Sequence, residues 1–298
     1  MAAVLRLGFA AIGLIAAGSA ALAVWPVGWP VELAELEGNV ERGAYLARAG
    51  GCIACHSDPA SSGRAPLSAG APIASGFGTF VPPNLTTDPA HGIGAWDIAD
   101  FAKAVRQGIS PGGDPYYPAF PYAFYGDLSD QDIADLWAAF QTVPPVAEPE
   151  PDSEVPFPVN QRFGLKLWRA AFLTAPPTAP RPDKTEAWNR GQWLVNGLAH
   201  CGACHTDRNL LGGRRMEARL AGSNDLPGGK SAPDITPAAL ARNGWTVDSL
   251  AFALKSGVAP DGDVLGGGMG EVVQQGTAWL TPEDRREMAA YLMNAGDD

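Results

Sequence analysis

Cys52-Ile53-Ala54-Cys55-His56 and Cys201-Gly202-Ala203-Cys204-His205 are the two stretches on which the fold turns. Every cysteine of the chain lies in these windows, as do two of its four histidines. Cys-x-x-Cys-His is the pattern of covalent c-type haem attachment. Two thiols become thioethers to the macrocycle, and the next imidazole is placed to ligate the iron. One shared zinc site, or a pair of redox dithiols, would use the same cysteines. Neither requires a histidine directly after each pair, and neither accounts for what surrounds them. Two covalently attached haem c groups are therefore the expected cofactors.

The surroundings are duplicated. The motifs are offset by 149 residues, and the same offset carries Trp96 to Trp245, Gly108 to Gly257, Pro111 to Pro260 and Asp114 to Asp263. Matched offsets over this length indicate two copies of one unit. Each copy reads as short helices separated by Gly- and Pro-rich loops. A helix runs into the motif from about Val40 in the first copy and from Trp188 in the second. Asp97 and Thr246 are N-caps for helices over 98–107 and 247–256, each closed by a glycine. Ser129-Asp130-Gln131-Asp132 and Thr281-Pro282-Glu283-Asp284 open the last helix of each copy as Ser/Thr-x-x-acid boxes. The expected fold class is all-α, with residues 37–145 as the first unit, 146–185 as a Pro-rich linker and 186–298 as the second. Within the linker Arg162, Lys166 and Arg169 share one helical face.

Residues 1–31 read as a signal-anchor helix. Arg6 is the only basic side chain before an uncharged run of 19 residues, Leu7 to Trp25. A signal-peptide core is about 7–15 residues and a spanning helix about 20, which favours an uncleaved anchor over residues 7–25. Trp25 and Trp29 suit an interfacial belt. Ala21-Leu22-Ala23 offers the competing reading, a cleavage site that releases a soluble periplasmic protein. Either way the body lies on the periplasmic side. The net charge of −11 excludes phosphate-backbone binding as a natural role and suits docking of a basic redox partner. Hydrophobic residues at 46% provide ample core.

These residues resemble the dihaem c-type cytochromes related to the cytochrome subunits of bacterial membrane-bound alcohol and gluconate dehydrogenases. The resemblance rests on both haem motifs, Pro83-Asn84-Leu85-Thr86, Gly92-Ile93-Gly94, Pro118-Ala119-Phe120-Pro121-Tyr122 and Asn209-Leu210-Leu211-Gly212-Gly213. Those subunits usually carry three haems, whereas this chain has two motifs, so the likeness is to the wider family. It implies two tandem class I cytochrome c domains that pass electrons from a dehydrogenase to a quinone, an oxidase or a small cytochrome. It also implies that Pro233 and Pro83 accept from the proximal imidazoles.

The two sites differ in their sixth ligand. Of the five methionines, Met269 in Gly266-Gly267-Gly268-Met269-Gly270 is the distal candidate opposite His205, in a loop whose glycines allow close approach to a haem. The matching offset in the first copy falls on Phe120, where relatives with Pro-Ala-Met-Pro-Tyr use the methionine. No methionine lies between Met1 and Met216. Three readings of the first site stand: five-coordinate iron beneath Phe120, ligation by Tyr122 on the same face of an extended segment, or ligation by His91. His200 reads as structural or solvated. The leading function is an electron carrier rather than an independent catalyst. The alternative is a haem enzyme of the thiosulfate dehydrogenase or peroxidase kind, using the unusual first haem.

Overall fold

The computed structural model describes residues 24–294 apart from residues 59 and 61–63, together with Gly18. The run at 7–25 read as an anchor helix lies almost wholly outside the described residues. Among the described residues no helix is long and apolar enough to cross a membrane.

The first half is built from α1 (Val40–Ala49), α2 (Cys52–Cys55), the hairpin β1–β2 (Ile73–Ser75, Gly78–Phe80), α3 (Ile98–Gln107) and α4 (Asp130–Phe140). A connecting helix, α5 (Phe163–Phe172), leads to α6 (Glu186–Trp193), a π-turn over Leu194–Leu198, the hairpin β3–β4 (Ser223–Leu226, Lys230–Ala232), α7 (Pro237–Arg242), α8 (Val247–Ser256), α9 (Gly267–Gln275) and α10 (Pro282–Asn294). The chain is helix-rich, as the all-α expectation has it, with a difference: two short antiparallel hairpins occupy stretches read as loop. Strands of three or four residues are too short to leave an alternation in the sequence.

Local chemistry sets the helix ends. Asp97 and Asp100 form a reciprocal capping box at α3, Thr246 and Ser249 one at α8, and Ser129 and Asp132 one at α4. Gly108 and Gly257 close α3 and α8 with φ of 63° and 73°, in the left-handed region where a glycine pays no Cβ penalty. Thr281 Oγ1 accepts from the Asp284 amide at the start of α10.

The helices that enter the haem motifs cross the last helix of their half in the same way. A Cβ on Gly43 of α1 would lie 1.8 Å from the Asp135 carbonyl oxygen in α4. A Cβ on Gly191 of α6 would lie 2.2 Å from the Glu287 carbonyl oxygen in α10. Each crossing carries an ion pair. Arg42 bonds to both Asp132 and Asp135, and Arg190 pairs side-on with Asp284 at 2.8 and 2.9 Å. Asp284 also accepts from Tyr45 of the first half. The Arg48 guanidinium lies 4.1 Å over the Trp279 ring. One hydrophobic cluster runs through both halves, joining Leu46, Phe101 and Ile133 to Leu194, Leu254 and Met288. Residues just before α1 pack on the first half as well: Gln107 exchanges hydrogen bonds with the Trp29 backbone, and the Ala34 amide donates to Asp130.

Asp284 therefore ties the second half to the first. Burial opposes its charge, but the hydrogen bonds from Arg190 and Tyr45 outweigh burial and hold its pKa below the ordinary value. The stability it contributes is full above the unfolded pKa, about 3.9. It is lost as pH falls through the lower folded value. Asp284→Asn should lower the unfolding free energy by about 2 kcal/mol at neutral pH. The gap between variant and parent should close in acid. Urea unfolding at neutral pH and below about pH 3 measures both, and equal stability at neutral pH would contradict the assignment.

Candidate functional site

The first motif follows the left-handed Gly51, with φ of 71°, and wraps one helical turn, the His56 amide donating to the Cys52 carbonyl at 2.9 Å. That turn places Cys52, Cys55 and His56 on one wall. His56 Nδ1 donates to the Pro83 carbonyl at 2.7 Å, which fixes the ring and leaves Nε2 with its lone pair. Asn84 pins that proline segment: its side chain donates to Val146 O at 2.9 Å and accepts from Thr86 N at 2.8 Å. Burial, opposed by the bond to Pro83, takes the His56 pKa down to about 4. Burial and the neighbouring Cys55 push Cys52 up to about 12, and burial pushes Cys55 to about 11. A neutral imidazole with one nitrogen tethered suits an iron ligand.

The second motif repeats the arrangement. The His205 amide donates to Cys201 O at 2.9 Å, and His205 Nδ1 donates to the Pro233 carbonyl at 2.8 Å. Burial lowers the His205 pKa and raises that of Cys201 to about 12. Both proline acceptors stand where the family resemblance implies them. All four cysteines are free of disulfides.

A largely apolar cavity of about 1950 Å³ opens beside the first motif. Cys52, Cys55 and His56 form one wall, Phe120 and Tyr122 another, and Leu165 and Trp168 of α5 cover it. Cys204 and Arg208 reach the same cavity from the second half, whereas His205 and Met269 are not part of its lining. Met269 sits in the first turn of α9, not in an open loop, and packs half-buried against the common core. Three successive glycines mask that helix in the sequence; burial of Val273 holds it in place.

The three candidates for the first iron's sixth position all line the cavity. The Phe120 ring packs at 6.0 Å on Tyr122 and 5.9 Å on Tyr125. The Tyr122 ring lies against Gly108, where a Cβ would stand 2.3 Å from it. The Arg169 guanidinium lies 5.0 Å over the same ring. Burial, against the nearby Arg169 and Arg214, raises the Tyr122 pKa. His91 is exposed, its amide donating to Asp88. Tyr122 OH and Arg169 Nη1 are buried without a hydrogen-bond partner. Polar atoms of this kind beside an apolar slot fit a flat apolar group that carries carboxylates, as haem does. The basic face of α5 was legible in the sequence; that Arg169 turns inward was not. His200, read as structural or solvated, also lines the cavity.

Two histidine turns of this geometry, one opening on an apolar slot, define a protein of the c-type cytochrome class. No family profile matches the chain. A dihaem c-type cytochrome of Cereibacter sphaeroides is 43% identical over 285 residues, 95% of each chain. The gluconate 2-dehydrogenase cytochrome c subunit of Pantoea cypripedii is 39% identical over 86% of this chain and 59% of that subunit. The fructose dehydrogenase cytochrome subunit of Gluconobacter japonicus is 37% identical over 85% of this chain and 52% of that subunit. Against these two subunits the chain spans only a little over half their length. The chain belongs to the dihaem c-type cytochromes related to the cytochrome subunits of bacterial dehydrogenases. It carries two covalently bound haem c groups and serves electron transfer.

By the 149-residue offset Phe120 is the counterpart of Met269, and methionine is close enough in volume to enter with modest repacking. Phe120→Met should convert the first haem to a low-spin spectrum and raise its potential by roughly 100 mV, within the about 0.8 V over which axial ligands tune haem. Spectroelectrochemistry reads both. An unchanged spectrum and potential would mean that the 149-residue register fails in this loop or that another group already holds the position.

Proposed function

We propose that the chain is a dihaem relay that takes electrons from a dehydrogenase and passes them towards the respiratory chain on the periplasmic side of the bacterial inner membrane. The match to a dihaem cytochrome over nearly the whole of both chains carries this reading. The cytochrome subunits among the other relatives supply the dehydrogenase as donor. Residues 37–145 and 186–298 are the two cytochrome units and 146–185 joins them. Cys52 and Cys55 bind the first haem and His56 Nε2 its iron, with Phe120 closing the pocket and neither Tyr122 nor His91 ligating. Cys201 and Cys204 bind the second haem, between His205 and Met269. The group supplies one-electron redox chemistry. The chain's residues set the two potentials apart: a thioether ligand raises the potential of the second site, and its lack leaves the first lower, so electrons run downhill from the first to the second. The acidic surface docks a basic protein partner, and the acceptor is a quinone, an oxidase or a small cytochrome. Residues 7–25 hold the chain at the membrane. The relatives' names lend no support to thiosulfate dehydrogenase-like or peroxidase-like turnover.

A single fractionation experiment addresses the reading. The cytochrome should sediment with membranes until detergent is added, and the substrate of a co-resident sugar or alcohol dehydrogenase should then reduce both haems. A protein that stays oxidised under these conditions while turning over thiosulfate or peroxide would overturn the proposal.

A further inference from the structure

The chain places one imidazole between its two haem-attachment turns. His200 directly precedes Cys201, and the 149-residue repeat makes it the counterpart of Gly51, which directly precedes Cys52. Both adopt the left-handed conformation, Gly51 at φ 71° and His200 at φ 42°. Glycine takes that conformation freely; a histidine there is strained and persists only when its surroundings hold it. They do so here. A Cβ built on Gly51 would lie 3.2 Å from His200 Cε1, so the ring fills the space the glycine leaves. Tyr125 OH donates to the Gly50 carbonyl at 2.7 Å and stands 3.4 Å from His200 Nδ1. The Phe124 and Tyr125 rings flank the imidazole at 6.1 and 5.8 Å. The π-turn over Leu194–Leu198 delivers the residue, with Leu198 O 3.1 Å from Nδ1.

The contact is supported from both sides. Phe124 of the first half reaches Gly202 inside the second motif, where a Cβ would meet its ring at 3.5 Å. Helix α9, which carries Met269, packs against α2, which carries Cys52 and Cys55. His200 shares the cavity wall with Gly50, Gly51, Cys52 and Cys204.

We infer that His200 is the positioning residue for electron transfer between the two haems: its ring closes the gap between the attachment turns and brings the thioether-bearing edges into one packed path. The inference rests on the reading of both motifs as haem-attachment sites. In the step, one electron leaves the reduced iron of the first site and enters the oxidised iron of the second. No proton moves and no bond is made or broken.

The test uses the full chain with both haems. His200→Gly keeps the left-handed backbone and removes only the ring. A pyridine haemochrome count of two shows that the haem reading stands, independently of the rate. Intramolecular electron transfer after flash reduction should then slow several-fold, with both potentials unchanged, and His200→Phe, which restores a ring, should recover most of the rate. A parental rate in His200→Gly with two haems overturns the inference. If that variant loses a haem, the parent protein decides: selective reduction of the second, higher-potential haem should change the EPR power saturation of the first. An unaffected first signal overturns the inference as well.

Discussion

Two glycines let helices meet backbone to backbone, and the rest of the molecule is arranged around those meetings. At Gly43 the helix that enters the first motif rests on the Asp135 carbonyl, and at Gly191 the helix that enters the second rests on that of Glu287. Any side chain at either place would force the pair apart. The crossings fix where α1 and α6 end, and so where Cys52 and Cys201 begin their turns. They also bring Arg42 to Asp135 and Arg190 to Asp284, buried carboxylates whose charge needs a partner. The proline carbonyls then fix each imidazole through its Nδ1.

The two halves share a plan and differ in their chemistry. They do not behave as beads on a string: Tyr45 bonds to Asp284, Arg48 covers Trp279, and one apolar cluster runs through both. A joint of this kind limits relative motion, which suits a relay whose rate depends on a fixed separation. Within that frame the first half turns an aromatic wall of Phe120, Tyr122 and Tyr125 towards its cavity, while the second half presents Met269 on a glycine-rich helix. A difference of this kind, were it carried to the sixth position, would separate two potentials without altering the fold.

Much of this was legible in the sequence because it is governed by neighbours along the chain. Cysteine spacing, the capping boxes at Asp97, Ser129 and Thr246, and the closing glycines at 108 and 257 are interactions over a few residues. The repeat offset supplied the pairing of Phe120 with Met269. What escaped depends on contacts between distant segments. The strands at 73–80 and 223–232 are too short to show a period, and α9 forms over glycines because Val273 is buried. The side chain of Arg169 lies over the Tyr122 ring, a contact that its place on one helical face with Arg162 and Lys166 does not announce. His200 gave no signal beyond its offset from Gly51, since its role arises only when the two halves are packed together.

The central claim is that one chain holds two unlike haems. Low-temperature EPR of the fully oxidised protein tests it most directly. The account predicts one high-spin ferric signal from the site closed by Phe120 and one low-spin signal of histidine–methionine type from the site of His205 and Met269. Two low-spin signals of the same type would contradict it.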